Sequence, residues 1–166
     1  MNDPILRENF IERIFVYGRW REMERRGTAV KDLIAFHRDH KLLILSHSPK
    51  HAAALGRLLA DPDRSDLGRL KEAYFGLLMD GLRLTATVRK QTNVLQHMAG
   101  YFKKRLTADE KRELGEVIGN YHRGLVPLVV PITLIGHYVR LYDEPYLKGQ
   151  VYLTPHPLEL MLRNHP

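Results

Sequence analysis

Between positions 88 and 106 apolar side chains recur at spacings of three and four. Val94, Leu95, Met98, Ala99, Phe102 and Leu106 fall on one stripe of a helix. Asn93, His97, Gly100 and Lys104 fall on the opposite side, with Tyr101 at the border. The spacing predicts a helix buried by one face. The same period runs through most of the chain. Asp3 and Pro4 supply an N-cap acceptor and a first-turn proline, and Leu6, Phe10, Ile14, Tyr17 and Met23 carry helical spacing as far as Gly27. Thr28 is placed to cap a second helix. That helix holds Leu33, Ile34, Phe36, Leu42, Leu43, Ile44 and Leu45 and turns apolar nearly all round, the pattern of a central element. Ser48 and Pro49 end it. A short helix over 51–60 stops at the turn of Asp61, Pro62 and Asp63. Ser65 then opens an amphipathic segment through Leu67, Leu70, Tyr74, Leu77, Leu78 and Leu82 that runs directly on into the 83–105 stretch.

Thr107 with Glu110 three residues later forms a capping box for a helix over about 108–121, closed by Gly124. Residues 126–142 are the most apolar of the chain and predict a buried helix, with Pro131 in or near its first turns. The tail breaks into a loop and a last short helix at 158–163. Strand alternation is confined to a scrap at 150–153. The pattern predicts an all-α fold, a compact single-domain bundle of roughly seven or eight helices over 1–166.

Charge adds a direction to this picture. The chain carries 26 Lys and Arg against 19 Asp and Glu, a net charge of +7, and its pI of about 9.7 favours a polyanionic partner. Arg83, Arg89, Lys90, Lys103, Lys104 and Arg105 lie within 83–105, a stretch with no Asp or Glu. A helix that presents an amide, an imidazole and an ammonium beside a phenol, with cations at both ends, suits a phosphate backbone with a base or two against it. A merely solvated basic helix accounts for the same residues equally well. The absence of cysteine excludes disulfides, thiol nucleophiles and thiolate ligation of zinc or iron–sulfur clusters by this chain. No signal peptide precedes the first helix and no apolar run approaches a membrane span, so the cytoplasm is the expected location.

Other candidates are weaker. His37, His40 and His47 share one side of the second helix, but His37 and His47 are roughly 15 Å apart at 1.5 Å per residue, so one ion cannot take both and no metal site is expected. Lys41, in a strongly apolar helix, either contacts a phosphate or covers core with its stem. His137, Tyr138 and Arg140 sit where helix ends favour such side chains. Arg123 follows Tyr121 and His122 at a helix end and is the better binding candidate. There is no glycine-rich phosphate loop, nucleophile elbow or HExxH motif, and His97 has no evident acid to orient it, so no catalytic residue is assigned.

Three motifs, FHRDHKLLILSHS from Phe36, TNVLQHMAGYFKK from Thr92 and YHRGLVPLVVPITLIGHYVRLY from Tyr121, occur in an order that resembles the YbgA-like family, a domain of unknown function. The resemblance covers most of the chain. It implies a domain that occurs alone or fused behind a desulfidase domain of the thiouracil desulfidase type, which carries an iron–sulfur cluster. The fused proteins are similar to RudS-type enzymes that remove sulfur from 4-thiouridine in tRNA, the helical domain being the proposed tRNA-binding part. LRENFIERIF and HPLELMLRNH resemble the junction and the end of such fusions, so the chain is expected to be an excised piece of a longer protein.

The resemblance therefore implies a tRNA-binding module that positions thiolated tRNA for a desulfidase domain in cis or in trans. It implies no cofactor in this chain, no membrane and no DNA specificity. Lys41, Arg89, Lys90, Lys103, Lys104 and Arg105 are expected to meet phosphates, with Arg123 beside them. Asn93, His97 and Tyr101 are expected to meet a sugar, a splayed base or the facing domain. His37, His47, Thr92 and His137 are further cleft candidates. His40 stands where the family pattern has a Tyr, which favours a packing role there. The alternative is a protein-docking domain without RNA contact.

Overall fold

The computed structural model of the chain describes residues 4–60 and 66–155. Asp3 as a cap, the turn at Asp61, Pro62 and Asp63, Ser65 as a helix start and the expected helix at 158–163 lie outside the described residues. Among the described residues there are eight helices and no strand: α1 (Pro4–Arg25), α2 (Val30–His47), α3 (Pro49–Ala60), α4 (Leu67–Leu82), α5 (Val88–Gly100), α6 (Ala108–His122), α7 (Val129–Leu141) and α8 (Pro145–Lys148). The fold is all-α. Residues 150–153 form a turn rather than the expected scrap of strand.

α2 is central, as its apolar pattern predicts, and packs against α3, α4 and α5. Leu33, Leu43, Ile44, Leu55, Leu78, Leu82, Leu95, Met98 and Phe102 are all but completely buried around it. Burial on this scale is the main favourable term in folding, on the order of 1.5–3 kcal/mol for each large side chain. At one end Trp20 stacks on Tyr74 at 5.7 Å and meets Phe36 edge-on at 5.5 Å. Local chemistry sets the boundaries. Thr107 Oγ1 accepts the Glu110 N–H at 3.2 Å and Glu110 accepts the Thr107 N–H at 2.7 Å, so the expected capping box forms. Gly124, at φ +74°, lets Leu125 N–H reach back to the Asn120 carbonyl at 2.9 Å and close α6. α2 starts differently from the expectation: Ala29 is its N-cap, Asp32 accepts the Ala29 N–H at 2.8 Å, and the Thr28 hydroxyl donates back to the Met23 carbonyl.

Two helices bury other faces than their apolar spacing suggests. In α1, Leu6, Phe10, Ile14 and Tyr17 are about half exposed, whereas Asn9, Glu12, Val16 and Trp20 are buried. The reason is polar. Asn9 donates to the Leu84 carbonyl at 3.0 Å and accepts the Ala86 N–H at 3.3 Å. Glu12 lies 2.7 Å from His47 Nε2, and His47 Nδ1 lies 2.8 Å from the same Leu84 carbonyl. These bonds satisfy the backbone of the 83–87 connection, and they hold inward the side of α1 that carries Asn9 and Glu12 together with Ile11, Val16 and Trp20. Trp20 is core, and Arg21 pairs with Glu24 at 3.3 Å. α7 packs by one side only: Pro131, Ile135, Tyr138 and Val139 are buried, whereas Val129 and Leu141 are about half exposed. Pro131 sits in the first turn of α7, where its missing N–H breaks no helical bond.

Two glycines of α4 lead to opposite expectations. A Cβ on Gly81 would sit 2.8 Å from His51 Cβ of α3, whereas one on Gly76 would meet nothing within 4 Å. Gly81→Ala is expected to cost about 1–3 kcal/mol by overpacking, and Gly76→Ala to add up to about 1 kcal/mol of helix stability. Urea unfolding of the two variants beside the unsubstituted chain checks both signs.

Candidate nucleic-acid interface

α5 is fixed on the core by Val94, Leu95 and Met98, and the turn after it by Phe102 and Leu106, all buried. Its start is set by Thr87, whose hydroxyl accepts the Lys90 N–H. The chain turns through 101–107 and returns as α6, which packs beside α5 through Leu114 and Ile118. Between the two helices lies a groove of about 570 Å³. Arg89, Thr92, Asn93, Gln96 and Lys103 line it from α5 and the turn that follows, and Lys111, Gly115, Ile118, Gly119 and His122 line it from α6. Among the described residues no Asp or Glu lines it.

The two helices run in opposite directions, so the groove has two ends. Lys103 and Lys111 stand near the connecting turn. Arg89 stands at the other end with His122, whose Nδ1 is 3.2 Å from the Thr92 hydroxyl. Thr92 donates that hydroxyl to the Val88 carbonyl at 2.8 Å. Arg89, Lys103 and Lys111 have no carboxylate partner among the described residues. Three unpaired cations around a concave, acid-free surface make a local positive potential that the walls of the groove focus.

The structure divides the expected site residues into groups. Arg89, Thr92, Asn93 and Lys103 share the groove. His97, Tyr101 and Lys104 are exposed and do not line it, and Tyr101 stacks on Tyr146 of α8 at 5.3 Å between ring centres. Burial, with Glu144 adding to it, raises the Tyr101 phenol above its ordinary range. Two cations are turned to structural use. Lys90 Nζ donates to the His47 carbonyl at 2.7 Å and the Thr85 carbonyl at 2.8 Å, capping the end of α2. Arg105 donates to the Tyr142 carbonyl at 2.6 Å and lies 3.7 Å from Glu144. Arg123 is exposed at the end of α6 and donates to Asn120 at 2.7 Å. Lys41 is exposed on α2, and His137 is exposed on α7 against Tyr138; neither lines the groove. Gln96, Lys111, Gly115 and His122 were not among the residues expected at the site. For the last three the signal lay in α6, where Lys111, Gly115, Gly119 and His122 recur at helical spacing; Gln96 lies on α5, one turn from Asn93.

The α2 histidines are engaged one by one. His37 Nδ1 lies 3.0 Å from the Tyr74 hydroxyl, and burial, with Lys41 nearby, lowers the His37 pKa. His47 bridges Glu12 and Leu84, as described above. His40 stacks on Phe36 at 3.9 Å and places Nδ1 2.8 Å from the Phe36 carbonyl, and its Nε2 has no partner. Among the described residues no group of three His, Asp or Glu is placed to hold a metal ion.

Burial lowers the His40 pKa to about 4, from an ordinary value of 6.5. The folded ring therefore refuses a proton that the unfolded one accepts below about pH 6.5. Its contribution to stability is intact above that pH and is lost as pH falls toward 4, by up to about 3 kcal/mol at 1.36 kcal/mol per unit. His40→Phe is expected to flatten the decline in unfolding free energy between pH 7 and pH 4.5. An unchanged slope would remove His40 from the acid response.

A family model described as a protein of unknown function, DUF1722, matches residues 41–157. The chain is also similar to the uncharacterized protein YbgA of Escherichia coli (strain K12), with 31% identity over 165 residues, 99% of this chain and 98% of that protein. No solved structure matches it. The matched region takes in α3 to α8 and the whole α5–α6 groove, and on both matches the chain belongs to the DUF1722 family, as a YbgA-like domain.

Proposed function

We propose that this chain is a tRNA-binding module that positions thiolated tRNA for a desulfidase active site on another domain, where 4-thiouridine is converted to uridine. The observation that carries the reading is the set of cations on α5 and α6 that have no carboxylate partner among the described residues and line one groove. Arg89, Lys103 and Lys111 border a groove that no Asp or Glu among the described residues lines, and Lys104, the residue after Lys103, is exposed. Phosphates are the ligands such a set recognises without regard to sequence, which suits a folded RNA held by shape and backbone. Arg105 and Lys90, being engaged within the fold, are assigned to holding the face in place rather than to phosphates. The role is binding. A chain without cysteine supplies no thiolate for an iron–sulfur cluster, so the cluster and the sulfur chemistry belong to the other domain. A cytoplasmic setting goes with this reading; among the described residues no helix is long and apolar enough to cross a membrane.

A second reading, docking onto another protein domain, is favoured by α1, where Phe10 and Ile14 are about half exposed. No α1 residue lines the groove among the described residues, and charge reversal tells the readings apart. With about four phosphates engaged, log affinity for tRNA is expected to fall with log salt at a slope of roughly −3 to −3.5, at 0.7–0.9 per contact. Lys103→Glu with Lys111→Glu is expected to weaken tRNA binding tenfold or more and to flatten that slope, and duplex DNA of equal charge is expected to bind less well. Lys90→Met is expected to lower stability by about 1–3 kcal/mol while leaving the slope unchanged. Salt-independent binding, or no binding, would leave the docking reading in place.

A further inference from the structure

Resting on the RNA-binding reading, we infer that the α5–α6 groove receives a single unstacked nucleotide of the RNA chain, with the phosphates on either side of it held at the two ends of the groove. The inference comes from how the lining changes along the groove. Cations stand at both ends, Lys103 and Lys111 at one and Arg89 at the other, while the middle is neutral. There Asn93 and Gln96, both exposed, offer amides that donate and accept, the pattern that reads a base edge. Beside them the floor is aliphatic, formed by the buried Leu114 and Ile118, and a base face removed from water can lie on it. A volume of about 570 Å³ is within the range of pockets that enclose small ligands. A free mononucleotide carries its phosphate on one side only and leaves one end of this groove unanswered. A chain nucleotide answers both.

The middle of the groove is open because α6 has glycine there. A Cβ on Gly115 would meet nothing within 4 Å, so a side chain at that position enters the groove and not the fold. Glycine inside a helix costs stability relative to alanine. Gly115→Leu therefore tests the site without threatening the structure: it blocks the place assigned to the base, keeps every cation and gives the helix a better former.

The experiment compares a hairpin RNA carrying 2-aminopurine in its single-stranded loop with a fully paired RNA duplex of equal charge, both titrated into the full chain and into its Gly115→Leu and Gly115→Ala variants. The unsubstituted chain is expected to prefer the hairpin by tenfold or more, and 2-aminopurine emission is expected to rise as the base leaves its stacked neighbours. Gly115→Leu is expected to lose that preference and the emission change, to retain salt-dependent duplex binding and to melt no lower than the unsubstituted chain. Gly115→Ala is expected to fall between. Equal, salt-dependent affinity for hairpin and duplex that Gly115→Leu leaves unchanged would overturn the groove assignment and leave the RNA-binding reading standing. Displacement of the hairpin by micromolar uridine 5′-monophosphate would reassign the groove to a free nucleotide and overturn it as well. Binding of neither RNA would overturn both readings.

Discussion

The interaction on which most else in this fold depends is the one made by His47. Its ring is fully buried at the end of α2, with Glu12 of α1 on one nitrogen and the Leu84 carbonyl on the other. Its own carbonyl accepts from Lys90 of α5. One residue thus ties three helices and the connection between α4 and α5. A buried carboxylate and imidazole are costly unless each finds a partner, and here each does, with the half-buried Lys90 ammonium closing the set. Removing one partner would strand the others, which makes the arrangement specific as well as stable.

That clamp has consequences at two surfaces. It holds Asn9 and Glu12 of α1 inward beside Val16 and Trp20, and Phe10, Ile14 and Tyr17 face outward. It also fixes the start of α5, and therefore the position of Arg89, while the buried stripe of Val94, Leu95 and Met98 fixes the rest of that helix. The capping box at Thr107 and Glu110 then sets where α6 begins and brings Lys111 opposite Lys103. The groove is a product of those constraints. Cations of the 83–105 stretch serve two ends: Lys90 and Arg105 satisfy backbone carbonyls, while Arg89, Lys103 and Lys104 keep their charges toward solvent.

Much of the fold was legible in the sequence because its signals are local. The 3.6-residue period of α5, the cap residues of α6, and the glycines at 27 and 124 with positive φ each act within a few residues. α1 was misleading because its period was read from apolar residues alone, and Asn9 and Glu12 outweigh them through partners more than thirty positions away. The candidate site was legible in part. Sequence placed Asn93, Lys103 and Arg89 on an open, basic face, yet it does not distinguish a free lysine from one bonded to a carbonyl 43 residues away, as Lys90 is. Nor did it show the groove, which exists only when α6 lies beside α5 and brings Gly115 and His122 to the same concavity as Asn93.

The central claim is that RNA meets this protein on the α5–α6 face. Near-ultraviolet irradiation of the chain with tRNA containing 4-thiouridine, followed by mass spectrometry of the crosslinked peptides, tests it most directly, because the thiocarbonyl reacts with whatever it touches. The account predicts crosslinks concentrated in residues 88–122. Crosslinks confined to α1 or α7, or none above those of unthiolated tRNA, would contradict it.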